Sequence, residues 1–174
     1  MSIGRFALRV TIGGLFVGHG LQKLTGSFGG PGLAGTEQMM TSLELYPPHL
    51  QALAAGATET AAGAMLTAGL LTPIASAGLV GVMTTAIRTV HAPNGLWNAK
   101  GGWEFNAVMI AAALTLAEEP GRGSLDAAFG RARWGSTWAV AALVGGMLAS
   151  TATIAVGRRM ARAAAEHEET AEGA

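Results

Sequence analysis

No ionisable side chain interrupts the 24 residues from Trp134 to Gly157. A hydrocarbon core of about 30 Å is crossed by roughly 20 apolar residues of helix, so this stretch reads as a membrane span. Trp134 and Trp138 stand at one end as interfacial anchors, and Arg158, Arg159 and Arg162 follow the other. The rest of the chain favours the same solvent. Only 13% of its residues are Asp, Glu, Lys or Arg, about half the roughly 25% usual in soluble domains.

Between Glu59 and Arg88 another 28 residues pass without charge or histidine, divided by Pro73. Residues 50 to 91 as one helix would be about 63 Å long, twice a bilayer core. The spacing therefore predicts two antiparallel helices, 50–71 and 74–91, joined by a short turn. Residues 3–24 predict a first helix, with Arg5, Arg9 and Lys23 snorkelling at its ends. A signal peptide is the rival reading, but no small-residue cleavage site follows. A fourth helix is expected between Glu104 and Glu118, beginning at or before Trp103.

The expected fold is an all-α membrane protein. A four-helix transmembrane bundle (1–120) precedes a cytoplasmic loop (121–133), an additional transmembrane helix (134–157) and a charged tail (158–174). The Lys and Arg positions give an N-terminus inside for the four-helix part, five against three, although the C-terminal arginines reverse the total. The long first connection (25–49) should hold a short helix over 36–45, since a structureless loop of that length is unusual. Gly14 and Gly18, with Gly56, Gly63, Gly78, Gly81, Gly145 and Gly146, mark expected close helix contacts.

Balanced charge, with eleven basic and eleven acidic residues, removes the electrostatic case for nucleic acid. The absence of cysteine excludes disulfides, thiol chemistry and Cys-ligated metal centres. The informative groups are ionisable ones at membrane depth, because placing them in lipid is costly. Glu59 falls about 13 Å into its helix and must be protonated, paired or at a water-filled cavity, with Arg88 as the nearest candidate partner. His19, Gln22 and Lys23 share one helical face, and Arg88 with His91 repeats that spacing. Glu104, next to Trp103, and Asn106 begin the fourth helix on the same side. These groups are expected to converge on the outer half of the bundle. The competing reading has Lys23, Arg88 and Glu104 reaching for headgroups and both histidines in structural hydrogen bonds. Bis-His b-type haem is geometrically open but disfavoured, and no metal site is assigned.

His19-Gly20-Leu21-Gln22-Lys23 and the Phe28-Gly29-Gly30-Pro31-Gly32-Leu33 turn resemble the opening of the DoxX family of small membrane proteins. So do Glu59…Gly63…Leu66…Gly69-Leu70-Leu71-Thr72, His91 and Gly101-Gly102-Trp103-Glu104. The resemblance covers roughly residues 5 to 120; the span after Trp134 and the acidic tail go beyond it. It implies redox work at a bacterial plasma membrane near quinones or thiols, as in a terminal quinol oxidase subunit, a thiosulfate:quinone oxidoreductase partner, or a complex with superoxide dismutase and a sulfurtransferase. On that basis the chain is expected to be a multi-pass, redox-associated subunit binding a quinone or similar amphipathic molecule. His19 or His91 would hydrogen-bond the ligand and Glu59 would move the proton. Lys23, Gln22, Arg88, Glu104 and Trp103 would line the site. Electrons would come through a redox partner protein, and a homo-oligomer is compatible with all of this. A small proton-coupled transporter or channel and a structural subunit of a membrane complex remain as alternatives.

Overall fold

A computed structural model describes residues 3–172. Among them seven α-helices follow in order: α1 (Ile3–Thr25), α2 (Gly32–Ser42), α3 (Pro48–Ala68), α4 (Thr72–Ala86), α5 (Glu104–Glu118), the one-turn α6 (Leu125–Ala128) and α7 (Ser136–Glu172). Gly173 and Ala174, the end of the expected tail, lie outside the described residues. α1, α3, α4 and α5 alternate in direction around a core that includes Ile12, Phe16, Leu66, Leu79 and Leu116. α7 packs along α4, parallel to it, and touches α5. α2 lies across one end of α1 and α3. There Met40 and Leu45 meet Ala52 of α3 and Ile154 of α7.

The expected four-plus-one transmembrane bundle is corrected by this structure. Among the described residues two helices, not five, are long and apolar enough to cross a membrane. They are Thr72–Asn94, which is α4 with its continuation, and Ser136–His167 within α7. The others fall short for physical reasons. α1 carries Arg5, Arg9 and Lys23, and α3 carries His49, Gln51, Glu59 and three threonines. α5 has 15 residues, about 22 Å of helix, less than the thickness of a hydrocarbon core. The chain is thus an all-α protein associated with membranes through apolar helices.

Arg9 departs from the expected snorkelling. It turns inward and is buried at 2% relative exposure. Its guanidinium donates to the carbonyls of Thr67 (3.0 Å), Pro120 (3.1 Å) and Gly123 (2.7 Å). Burial lowers its pKa from the ordinary arginine value and the nearby Asp126 carboxylate opposes that shift; an arginine stays cationic throughout. Asp126 is itself buried. It accepts the Leu71 N–H (2.7 Å), the Thr72 N–H (3.0 Å) and hydroxyl (2.8 Å), and the Trp134 indole N–H (2.9 Å). One carboxylate therefore ties the α3–α4 turn to the start of α7. It also satisfies N–H groups that open α4 and have no partner within the helix. Leu71 sits there in the left-handed region at φ 45°, a conformation that needs such outside support.

The α1–α3 seam uses a different glycine pair from the one expected. Gly14 and Gly18 face open space, whereas Gly13 and Gly20 meet the backbone of α3. The inward face of α1 runs through Arg9, Ile12, Gly13, Phe16 and Gly20, a helical stripe that leaves Gly14 outside it. A Cβ on Gly13 would lie 2.5 Å from the Gly63 carbonyl oxygen. Gly13→Ala is expected to destabilise by about 1–3 kcal/mol through overpacking, with Gly14→Ala nearly silent. Thermal unfolding of the two variants in detergent checks this, and equal melting temperatures would refute the seam. At the α4–α7 contact Gly146 alone of the Gly145–Gly146 pair is in close approach, beside Ala77 and Val80.

Candidate functional site

A cavity of about 650 Å³ opens at the end of the bundle away from Arg9, between α1, α3, α4, α5 and α7 and beneath α2. Most of its wall is apolar: Leu15 and Phe16 from α1, Met39 and Met40 from α2, Val82 from α4, Met109 from α5. Into this wall α1 and α3 set an ion pair. Glu59 is buried at 3% relative exposure, and Lys23 Nζ donates to its Oε2 at 2.6 Å. Lys23 is its one protein partner among the described residues. The carboxylate thus keeps acceptor capacity, and the ammonium keeps donors, for a molecule in the cavity. The sequence spacing favoured Arg88 for this pairing; the structure gives the role to Lys23, which approaches from α1.

His19 and His91 border the same cavity. Nδ1 of His19 lies 3.0 Å from Gln22 Oε1, so Gln22 orients the ring without lining the cavity. Nδ1 of His91 lies 2.7 Å from the Gly101 carbonyl oxygen. A carbonyl only accepts, so Nδ1 carries the hydrogen and Nε2 of the neutral ring is an acceptor. Glu104 and Trp103 serve the neighbouring loop: Glu104 Oε2 accepts the Asn98 N–H at 2.9 Å, and the Trp103 N–H reaches the Gly95 carbonyl. Neither borders the cavity. Arg88 turns to α7 and donates to Thr151 Oγ1 at 2.9 Å. The reason is local, since residues 87–91 form a π-helical turn. Its wider winding takes Arg88 and His91 off the common face that an α-helix would give them.

Asn106, which the sequence places with these groups without giving it a role, also belongs to the site. It is buried on the cavity wall, and its amide donates to Met83 Sδ at 3.4 Å, a weak acceptor. An amide inside the apolar run 105–117 was the available signal. No group of three His, Asp or Glu positioned for a metal ion occurs among the described residues.

The DoxX family model matches residues 4–92, 89 of the 174 positions and just over half of the chain. The chain belongs to the DoxX family. The matched DoxX segment is shorter than the 5–120 suggested by the motifs. It carries α1 to α4 with His19, Lys23, Glu59 and His91, and it stops before Asn106 and the α5 and α7 walls of the cavity. No curated protein and no solved structure matches this DoxX chain.

Proposed function

We propose that this DoxX protein holds a quinone or a similar ring-bearing amphiphile in the cavity, as a subunit of a redox assembly in the bacterial plasma membrane. The observation that carries the reading is the Lys23–Glu59 pair set in an otherwise apolar wall. Ligand sites for small molecules are typically 300–1,000 Å³, mostly apolar, with a few convergent polar groups. A cavity of about 650 Å³ with Lys23, Glu59, His91 and Asn106 fits that description. In this reading the Lys23 ammonium donates to a ring carbonyl and Asn106 offers its amide. Glu59, already sharing a short hydrogen bond with Lys23, passes the proton that accompanies reduction. Electrons come from a redox partner protein, so binding and proton handling are this chain's share.

Titration of ubiquinone or menaquinone into the purified chain tests the proposal. Asn106→Ala removes the one neutral donor to a ring carbonyl, and a three- to tenfold weaker Kd is expected from about 0.5–1.5 kcal/mol. Glu59→Gln should bind with comparable affinity but lose proton uptake when the bound quinone is reduced chemically. Absence of saturable binding to the native chain would end the proposal.

A further inference from the structure

Four arginines gather on the side of α4 and α7 that faces away from the cavity. Arg88 leaves the π turn of α4 and reaches Thr151. From Thr151 the same face of α7 continues through Arg158, Arg162 and Glu166, with Arg159 beside them. Together they bound a surface hollow of about 630 Å³. Among the described residues none of the four arginines forms an ion pair, and Glu166 is the one carboxylate at the hollow. Four like charges against one opposite charge repel each other unless an anion joins them. Guanidinium forks suit phosphate oxygens bidentately.

We infer that this hollow binds the phosphodiester headgroup of an anionic lipid. Two observations choose a lipid over a free anion. The hollow stands towards the C-terminal ends of the two helices long enough to cross a membrane, where headgroups lie. One and two turns back from Thr151 on the same stripe of α7, Leu148, Met147 and Val144 are exposed, an apolar track for acyl chains leading from the charged hollow. Arg88 is then a headgroup ligand, separate from the cavity chemistry, and its bond to Thr151 holds it in place.

The test is binding of phosphatidylglycerol to the full chain in detergent, followed by native mass spectrometry, with phosphatidylcholine and inorganic phosphate as rival probes. Saturable phosphatidylglycerol binding is expected. Arg88→Gln and Arg162→Gln should each weaken it about fivefold, and the pair about 25-fold, from the usual contribution of one basic residue at an anionic surface. Arg122→Gln, at the other end of the bundle, should leave it unchanged. Melting without lipid reports whether each variant is folded; if the pair is not, the single substitutions decide. Equal binding of phosphatidylcholine, binding unaffected by the substitutions, or inorganic phosphate binding as tightly as the lipid would each overturn the inference. The last result would mark a site for free anions.

Discussion

Asp126→Ala is expected to lower the stability of the chain by about 3–5 kcal/mol, the usual cost of removing one member of a buried charged network. The side chain accepts four hydrogen bonds from three residues. Its loss strands the Leu71 and Thr72 N–H groups at the start of α4, frees the Trp134 indole, and leaves Arg9 buried without its carboxylate neighbour. Leu71 also loses the contact that holds it at φ 45°. For a chain of this size the change corresponds to a fall of about 6–20 °C in melting temperature. Circular dichroism of the two proteins in the same detergent measures it. Asp126→Asn keeps one acceptor oxygen and should fall between them, and Arg122→Ala, exposed and nearby in sequence, should melt with the native chain. A native melting temperature for Asp126→Ala would show that the latch carries no weight.

Lys23→Met should be the most damaging single change at the cavity. It leaves the Glu59 carboxylate buried without a partner, which in protein interiors costs several kcal/mol. Because the Lys23 side chain keeps 21% of its surface in contact with solvent, the lower end, about 3 kcal/mol, is expected. Replacing both members, Lys23→Met with Glu59→Leu, should restore the stability or exceed it, since an apolar pair of similar volume avoids the desolvation of two charges. The double variant should nevertheless no longer bind the quinone. Stability and affinity thus move in opposite directions between the single and double variants. That pattern separates a pair kept for ligand chemistry from one kept for folding. A double variant as unstable as Lys23→Met, or one that binds quinone like the native chain, would contradict the assignment.

The sequence made some of this arrangement legible and hid the rest for identifiable reasons. Helix order and the meeting of His19, Lys23, Glu59 and His91 follow from charge-free runs and from residues spaced along single helix faces. The rotation of each face does not. Periodicity cannot distinguish Gly13 from Gly14 when both neighbour apolar positions, and only packing against Gly63 decides. The π turn at 87–91 broke the expected link between Arg88 and His91, because an added residue per turn leaves no mark in composition. Span number was overread: a helix of mixed Ala, Gly and Thr passes for a membrane segment when charge alone is counted. α3, with Glu59 near its middle, is that case. Asp126 was unreadable for the opposite reason. It stands in the first turn of the short α6, where an acidic residue is ordinary, and its four donors come from positions 54 to 55 residues earlier and eight residues later.

The cavity draws its parts unequally from the chain. The portion that matches the family supplies the titratable groups, whereas Asn106, Met109, Ser150 and Thr153 from beyond residue 92 complete the enclosure. α7 also clasps the connection in front of α3, through the Gly157 carbonyl and the Tyr46 N–H at 3.3 Å. On the proposed function, reactivity and selectivity are therefore encoded in separate stretches of polypeptide. Exchanging α7 for another apolar helix is then expected to alter which molecules are admitted while leaving the Lys23–Glu59 pair in place.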